Sequence, residues 1–131
     1  MIVDASALVA IVLAEPTHDR LLAAFDEAPS VGIGAPTVVE TRLVLARRIE
    51  RAASAALALL MESCGAVVVP FEAHHADAAM EAHWRFGKGR HPAALNFGDC
   101  MTYAVAKLAR EPLLCVGDDF AQTDLELVPL R

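Results

Sequence analysis

Short, wholly apolar runs alternate in this chain with longer helical segments, and this alternation constrains the fold more than any other feature of the sequence. The runs "VVV" at 67–69 and "LLCV" at 113–116 contain no polar residue. A strand with one face in water alternates apolar and polar residues, whereas the strands of a parallel sheet are buried on both faces. Parallel neighbours are joined by helical crossovers that cover the sheet. The pattern therefore predicts a three-layer α/β/α domain around a central, mostly parallel sheet.

About five strands and six helices are predicted from the apolar runs, the helical periodicity and the turn residues between them. The predicted strands are residues 1–4, 66–71, 113–117 and 125–130, and residues 30–35 are predicted to be a short strand or an extended turn. The predicted helices are residues 5–15, 16–28, 36–51, 53–65, 72–86 and 100–108. Asp99 is expected to be the N-cap of the last helix. No repeat, linker or low-complexity segment interrupts this series, so we expect a single domain over residues 1–131.

The amino-acid composition is that of a globular domain rather than of a disordered or membrane-spanning chain. Of the 131 residues, 56% are hydrophobic and 21% are charged, which is typical of a compact globular chain. The apolar runs are too short to cross a bilayer, and the sequence opens without a secretion signal, so we expect a cytoplasmic protein with no membrane association. The three cysteines form no C-x-x-C pair, which is typical of reduced thiols.

The basic residues leave two interpretations open. A net charge of −6 argues against a protein that coats nucleic acid electrostatically. Two basic groups nevertheless stand out, which are Arg42, Arg47, Arg48 and Arg51 on one predicted helix and Arg85, Lys88, Arg90 and His91 in one short stretch. Each group is either a solvated surface or part of a substrate groove.

Acidic residues from distant segments are predicted to meet at one edge of the sheet. Asp4 ends the first strand, and Asp118 and Asp119 follow the fourth. Asp99 opens the helix that leads into that fourth strand, and Glu40 lies in the first turns of the helix that follows the second. All of these positions fall at the carboxyl edge of the strands, where open parallel sheets bind their ligands.

Carboxylates gathered at one edge repel one another, and some of them take up protons. A hard divalent cation, Mg²⁺ or Mn²⁺, relieves the repulsion because it prefers oxygen ligands and keeps several of its waters. Such a site suits the hydrolysis of a phosphodiester, since the cation activates a water and stabilises the in-line transition state. The acidic residues therefore predict a metal-dependent site for phosphodiester chemistry.

Four acidic motifs of the chain resemble those of PIN-domain ribonucleases. They are "MIVDASALVAI", the glutamate-containing "PTVVETRLVLARR", "NFGDCMTYAVAK" and "LLCVGDDFAQTDL". In order and spacing they cover essentially the whole chain, and they are most similar to the VapC-type toxins of bacterial toxin–antitoxin pairs. The resemblance implies a PIN-like α/β/α domain and a metal-dependent endoribonuclease.

The resemblance also implies roles for the acidic residues. Asp4 and Asp99 would ligate Mg²⁺, or Mn²⁺ as its substitute, and Glu40 would complete the catalytic cluster with one further acid. That fourth acid is Asp118 or Asp119, and Asp118 is preferred because it follows the strand by the shorter path.

Three other residues are candidates for supporting roles at the same site. With Asp118 preferred as the fourth acid, Asp119 is a further supporting candidate. Ser6 has a small hydroxyl just after the first acid and would orient a carboxylate by a hydrogen bond. Asn96 and Thr102 lie on either side of the third acid.

The resemblance implies RNA as the substrate, a small VapB-type antitoxin whose tail reaches into the groove, and a homodimer. We expect hydrolysis by an activated water, which leaves a 5′-phosphate and a 3′-hydroxyl, because no histidine pair is placed for chemistry at the 2′-hydroxyl. Which RNA is cut, and how many metal ions take part, stay open.

Two alternative functions fit parts of the pattern. A receiver-type phosphoacceptor domain needs an acidic pair at the end of its first strand and a lysine after its last, but here Asp4 stands alone and Lys107 is in mid-helix. A catalytically silent PIN-fold binding module is the other alternative, and the presence of all four acids argues against it. The run "GIGAPT" lacks the third glycine of a Rossmann motif.

Histidines and aromatic residues of the fifth predicted helix are candidates for a zinc site and for an RNA-stacking surface. His75 and His83 lie two turns apart, which is poor spacing for a zinc site. Trp84 and Phe86 either stack an RNA base beside the neighbouring basic residues or pack in the core or at a dimer contact.

Overall fold

The computed structural model describes residues 1–131, which form four strands and six helices. The strands are β1 (Ile2–Val3), β2 (Gly32–Gly34), β3 (Val67–Val69) and β4 (Leu113–Leu114). The helices are α1 (Ala5–Val12), α2 (His18–Glu27), α3 (Ala35–Ile49), α4 (Ala52–Ser63), α5 (Ala73–Phe86) and α6 (Phe97–Ala109). None of these helices has both the length and the apolar character that a membrane span requires.

All four strands form one parallel sheet in the order β3-β2-β1-β4. Ile2 of β1 lies opposite Gly32 of β2 on one side and opposite Leu113 of β4 on the other. The chain moves outward from β1 through β2 to β3 and then returns to place β4 on the other side of β1. This reversal makes the carboxyl ends of β1 and β4 a topological switch point, where open α/β sheets bind their ligands.

The helices enclose two hydrophobic cores, one on each face of the sheet. Successive residues of a strand point to opposite faces, and accordingly Val3 belongs to one core and Ile2 to the other. Leu114 and Leu113 divide in the same way. The first core also contains residues of α1, α2 and α4, and the second contains residues of α5 and α6. The three-layer prediction is therefore confirmed, and β4 is the doubly buried strand that its sequence indicates.

The third strand departs from the pattern of burial that its sequence predicts. Val67 is 64% exposed and Val68 is 47% exposed, because β3 is the edge strand of the sheet. Only Val69 packs against a core. The expectation that the "VVV" run is buried on both faces is therefore wrong, although the run is a strand of the parallel sheet.

The predicted fifth strand is reduced to a single bridge, so the sheet has four strands and not about five. Leu127 pairs in parallel with Leu113. The Leu113 N–H donates to the Glu126 carbonyl at 2.9 Å, and the Val128 N–H donates to the Leu113 carbonyl at 2.9 Å. Pro129 follows directly, and proline has no N–H with which to continue a ladder.

Candidate active site

Asp4 stands where β1 ends and α1 begins, and hydrogen bonds hold both of its carboxylate oxygens. Oδ2 accepts from the Ser6 backbone N–H at 3.0 Å and from Ser6 Oγ at 2.7 Å, so Asp4 is the N-cap of α1. Oδ1 accepts from Thr102 Oγ1 of α6 at 3.0 Å. The residue is only 6% exposed. The hydrogen bond expected of Ser6 is present, and Thr102 provides a second one from the opposite side.

Buried hydroxyl groups extend this network into α3 and into the loop after β4. Thr37 Oγ1 lies 3.2 Å from Thr102 Oγ1, whereas the hydroxyl of Thr41 donates to the Thr37 carbonyl at 2.7 Å within α3 and does not reach Asp4. Ser6 Oγ accepts from the Val116 backbone N–H at 3.0 Å. Since hydrogen bonds inside a protein are electrostatically stronger than in water, the network holds Asp4 firmly against both neighbouring helices.

Asp99 lies in the first turn of α6, where it shares a reciprocal capping arrangement with Asn96. Asn96 Oδ1 accepts from the Asp99 N–H at 2.9 Å, and Asp99 Oδ2 accepts from the Asn96 N–H at 3.0 Å. The N-cap is therefore Asn96, and the expectation that Asp99 is the cap is wrong by three residues. The helix begins at Phe97 because Asn96 provides the side-chain acceptor for its third N–H. The backbone thus orients one Asp99 oxygen.

Glu40 reaches the same region from α3 and packs directly over Gly98. A Cβ atom added to Gly98 would lie 2.6 Å from Glu40 Oε1, so the glycine leaves the space that the carboxylate occupies. Burial is the main cause that raises the pKa of Glu40 to about 7, and the charges of Asp4 and Asp99 raise it further.

Other groups around these carboxylates have perturbed pKa values as well. Burial raises the pKa of Asp99 to about 6, with added repulsion from Asp4 and Asp119, although the hydrogen bond from Asn96 opposes the shift. Burial and the nearby acids raise the pKa of the Cys115 thiol to about 12. The carboxyl groups therefore lie close enough to compete for protons near neutral pH.

A cavity of about 320 Å³ separates the carboxylates. Its acidic lining residues are Asp4, Glu15, Glu40, Asp99 and Asp119. Asp118 does not line it, so the structure does not support the preference for Asp118 over Asp119. Gly117, just before this pair, has a positive φ of 92°.

The cavity suits a hard cation that keeps much of its water. No three of its acidic side chains are arranged so that all can ligate one ion directly. Mg²⁺ is commonly held by one or two carboxylates while the remaining ligands are waters. The lining offers carboxylate oxygens and no histidine or cysteine, which is a donor set for Mg²⁺ or Mn²⁺ and not for zinc.

Two residues of the site were not singled out from the sequence. Glu15 follows α1 and lines the cavity, and its only sequence signal is an acidic residue at the end of an apolar helix. Thr37 belongs to the hydroxyl network, and its signal is a small polar residue one helical turn before Glu40.

The remaining candidates lie outside this cavity. His75 Nδ1 accepts from the Glu72 N–H as part of the α5 cap, and no group of histidines is arranged to bind a metal. Phe86 is a core residue, whereas Trp84 is 54% exposed and has the Arg90 guanidinium 4.2 Å above its ring. The two basic groups are on the surface, apart from the partly buried His91, and Arg47 lines the groove between α3 and α6 next to Glu40.

The sequence model of the PIN domain matches residues 1–126 of the chain. A VapC ribonuclease of Mycobacterium bovis is 52% identical over 127 residues, which cover 96% of this chain and 91% of that protein. Ribonuclease VapC36 of Mycobacterium tuberculosis has the same identity and coverage. Ribonuclease VapC of Mycolicibacterium smegmatis is 39% identical over 128 residues, which cover 98% of this chain and 99% of that one.

Solved structures show the same fold. The sarcin–ricin-loop-cleaving toxin VapC20 of Mycobacterium tuberculosis superposes with a TM-score of 0.79 at 22% identity, and the match covers 97% of each chain. A chain of VapBC2 from Rickettsia felis, solved on a promoter DNA fragment, superposes with a TM-score of 0.72 at 13% identity, covering 97% of this chain and 96% of that one.

Proposed function

This chain belongs to the PIN-domain family, and from that premise we propose that its acidic cavity is the catalytic site of a metal-dependent endoribonuclease. The protein is the toxin of a VapBC-type toxin–antitoxin pair, with VapC ribonucleases as relatives over almost its whole length. The observation that carries the assignment of the site is the meeting of Asp4, Glu40, Asp99 and Asp119, from four separate segments, around one cavity. Residues 1–131 are proposed to act as one domain.

The proposed cofactor is Mg²⁺, with Mn²⁺ as a substitute. Asp4 and Asp99 would hold the ion directly, and Glu40 and Asp119 would contact its waters. The oxygen-only donor set supports a hard cation. When bound, the cation supplies a more acidic water and stabilises the negative charge that develops on the phosphate.

Residues of the chain would orient the groups and move the proton. Ser6 and Thr102 hold Asp4 in one orientation, so the carboxylate needs no rearrangement during the reaction. Glu40 would accept the proton of the attacking water, because its carboxylate lines the cavity beside Asp4 and Asp99. The products would be a 5′-phosphate and a 3′-hydroxyl, and the finding of 2′,3′-cyclic phosphate ends would contradict this route.

The proposed partners are RNA as substrate and a VapB-type antitoxin as inhibitor. A solved structure of the same fold is a toxin–antitoxin complex from Klebsiella pneumoniae, which supports an antitoxin partner. A homodimer is also proposed, since α3 and α6 leave large apolar side chains in solvent: Val39 is 55% exposed, Leu43 63% and Phe97 81%. Sedimentation of the antitoxin-free protein would measure the oligomeric state. Because the substrate is cellular RNA, the proposed place of action is the cytoplasm.

Cleavage of total cellular RNA by the antitoxin-free protein tests the proposal. The reactions contain Mg²⁺, Mn²⁺ or EDTA, and they compare the unsubstituted protein with Asp99→Asn and with Asp77→Asn, which changes an exposed carboxylate on α5. We expect discrete fragments with either metal and none with EDTA. Asp99→Asn should lower the rate of RNA cleavage more than about a hundredfold, because mutation of residues that only contact a metal's ligands already lowers metal affinity or activity by about 10–100-fold. Asp77→Asn should cleave RNA at the normal rate.

The same proteins distinguish the alternatives. If the folded protein binds Mn²⁺ in calorimetry but cuts no RNA, a silent binding module replaces the nuclease assignment. If Asp99→Asn loses its fold, Asp99 has a structural role that the capping interaction of ~1 kcal/mol does not account for. Acetyl phosphate should leave the protein unlabelled, in contrast to a receiver domain.

A further inference from the structure

The segment that follows Asp119 is held in place by side chains although it contains no helix or strand. Phe120 is 2% exposed and belongs to the core that contains Tyr103 of α6. Thr123 Oγ1 donates to the Phe120 carbonyl at 2.7 Å and accepts from the Leu125 N–H at 3.3 Å. The segment therefore has a buried anchor immediately after Asp119 and a local turn before Leu125.

Asp124 fastens the far end of this segment to two helices. Its Oδ1 accepts from Tyr103 Oη at 2.7 Å, and its Oδ2 accepts from Lys107 Nζ at 2.7 Å. Arg85 of α5 approaches Oδ2 at 3.3 Å. Although partial burial opposes the shift, the hydrogen bonds of Lys107 and Tyr103 and the charge of Arg85 lower the pKa of Asp124 to about 2. The group is thus a charged acceptor throughout the neutral range.

The two residues that bind Asp124 from α6 lie on the helix that also carries Asp99. Tyr103 follows Asp99 by one helical turn and Lys107 by two. The clamp of Asp124, Tyr103 and Lys107 therefore connects the element that carries Asp99 to the loop that carries Asp119. Both of these acids line the cavity, and their charges repel each other.

From this arrangement we propose that Asp124 is a positioning residue that acts through Asp119, holding it at the distance from Asp99 that metal binding requires. The inference depends on the proposed metal site and adds a residue to it. A loop by itself positions a side chain poorly, and functional groups need to be held within about 0.5 Å of their working geometry. Asp119 is exposed, so its position depends on the two attachment points of its own segment.

A double-mutant cycle with metal binding as the readout tests the inference. Calorimetry with Mn²⁺ alone would compare the unsubstituted antitoxin-free protein, Asp124→Asn, Asp119→Asn and the double variant. We expect Asp124→Asn to weaken Mn²⁺ binding by about tenfold, the lower end of the range for outer-shell partners. In the Asp119→Asn background the same substitution should change the affinity less than about twofold, because a residue that acts through Asp119 has nothing left to position.

Two further variants keep the result interpretable. Lys107→Met removes one donor of the clamp without changing a carboxylate, and it should weaken Mn²⁺ binding in the same direction, again only when Asp119 is present. Glu111→Gln removes an ion pair with the Met1 amino group at 3.2 Å, outside the cavity, and should leave Mn²⁺ affinity unchanged. Melting temperatures of all variants report the loss of stability separately.

The outcomes distinguish a positioning role of Asp124 from a purely structural one and from failure of the proposed metal site. If Asp124→Asn weakens Mn²⁺ binding equally in both backgrounds, or lowers only the melting temperature, Asp124 is a structural residue and the inference is overturned. If the unsubstituted protein cleaves RNA in Mn²⁺ and Asp124→Asn has unaltered affinity, the inference fails while the proposed function stands. If the unsubstituted protein binds no Mn²⁺, the proposed metal site fails and the inference fails with it.

Discussion

Asp4 shows how a buried carboxylate is tolerated in this protein. It accepts three hydrogen bonds from two residues, and one of those residues, Thr102, is completely buried. A buried charge is costly unless its oxygens are satisfied. The hydroxyl of Thr102 therefore stabilises the folded protein and also orients Asp4, the proposed metal ligand.

We expect Thr102→Val, which keeps the shape but removes the hydroxyl, to leave Asp4 Oδ1 without its donor. An unsatisfied buried acceptor costs about 1–3 kcal/mol of unfolding free energy, and loss of an outer-shell partner weakens metal binding by about 10–100-fold. Urea unfolding and Mn²⁺ calorimetry measure the two effects. Thr41→Val is the matched control, since Thr41 is equally buried but donates to a backbone carbonyl, and it should leave Mn²⁺ affinity unchanged.

Glu40 and Asp99 provide the pH dependence of the site. Their pKa values of about 7 and about 6 lie above the values of 4.5 and 3.8 for free carboxyl groups. The folded, metal-free protein therefore holds protons that the unfolded chain releases between about pH 4 and about pH 7. It follows that deprotonation of these groups destabilises the metal-free fold while it creates the metal site.

Opposite pH trends are expected for stability and for metal binding. The contribution of these two groups to the stability of the metal-free protein should fall as the pH rises from about 4 to about 7, and Mn²⁺ affinity should rise over the same interval. Urea unfolding and calorimetry at several pH values measure both, and Glu40→Gln should flatten both trends. An Mn²⁺ affinity that is constant between about pH 6 and about pH 8 would contradict the assignment of these groups to the metal site.

At the scale of elements, the contact between α3 and α6 sets the spacing of two acids. Glu40 of α3 lies over Gly98 in the first turn of α6, next to Asp99. Asn96 determines where that turn starts, because its side chain accepts the N–H of Asp99. The first turn of α6 is thus packed against the Glu40 side chain of α3, with no side chain at position 98 to keep them apart.

Gly98→Ala tests the importance of this close packing. Alanine is favoured over glycine in a helix by about 1 kcal/mol, but its Cβ would lie 2.6 Å from Glu40 Oε1, so the Glu40 side chain must move. Because that side chain is flexible, we expect the melting temperature to change little while RNA cleavage falls by about tenfold or more, as for other misplaced catalytic groups. In a Glu40→Ala background the same substitution should have no further effect on cleavage.

At the scale of the whole molecule, the strand order brings the acids together. Strand β1 lies between β2 and β4 in the sheet. As a result, one cavity is faced by the ends of β1 and β4 and by the starts of α3 and α6. Each of these segments contributes one carboxylate. The fold therefore concentrates negative charge that a bound cation would neutralise.

Metal binding should consequently stabilise the entire domain. A ligand that binds only the folded state at about a hundred times its dissociation constant adds about 2.7 kcal/mol to the free energy of unfolding. We expect the melting temperature to rise with Mn²⁺ concentration, and EDTA to reverse the rise together with RNA cleavage. Asp99→Asn should show a much smaller rise, and an equal rise in that variant would place the binding of Mn²⁺ elsewhere.

The local sequence was sufficient to predict the six helices, four of the five proposed strands and most of the acidic positions. The α/β alternation, the strand that ends at Asp4 and the helix that contains Asp99 follow from periodicity and from capping residues, which are properties of neighbouring residues. The helix start was placed three residues late because both Asn96 and Asp99 are suitable cap residues, and only their reciprocal hydrogen bonds distinguish them.

Only the tertiary structure decided the remaining features, because they depend on residues far apart in the chain. Thr102 and Asp4 are 98 positions apart, and no local pattern relates them. The exposure of Val67 follows from the edge position of β3, and only the folded chain shows that Asp119 lines the cavity and Asp118 does not. By itself the sequence determined which acids reach one edge of the sheet, through the rules of strand alternation, while packing determined which of them share a cavity and how each is held.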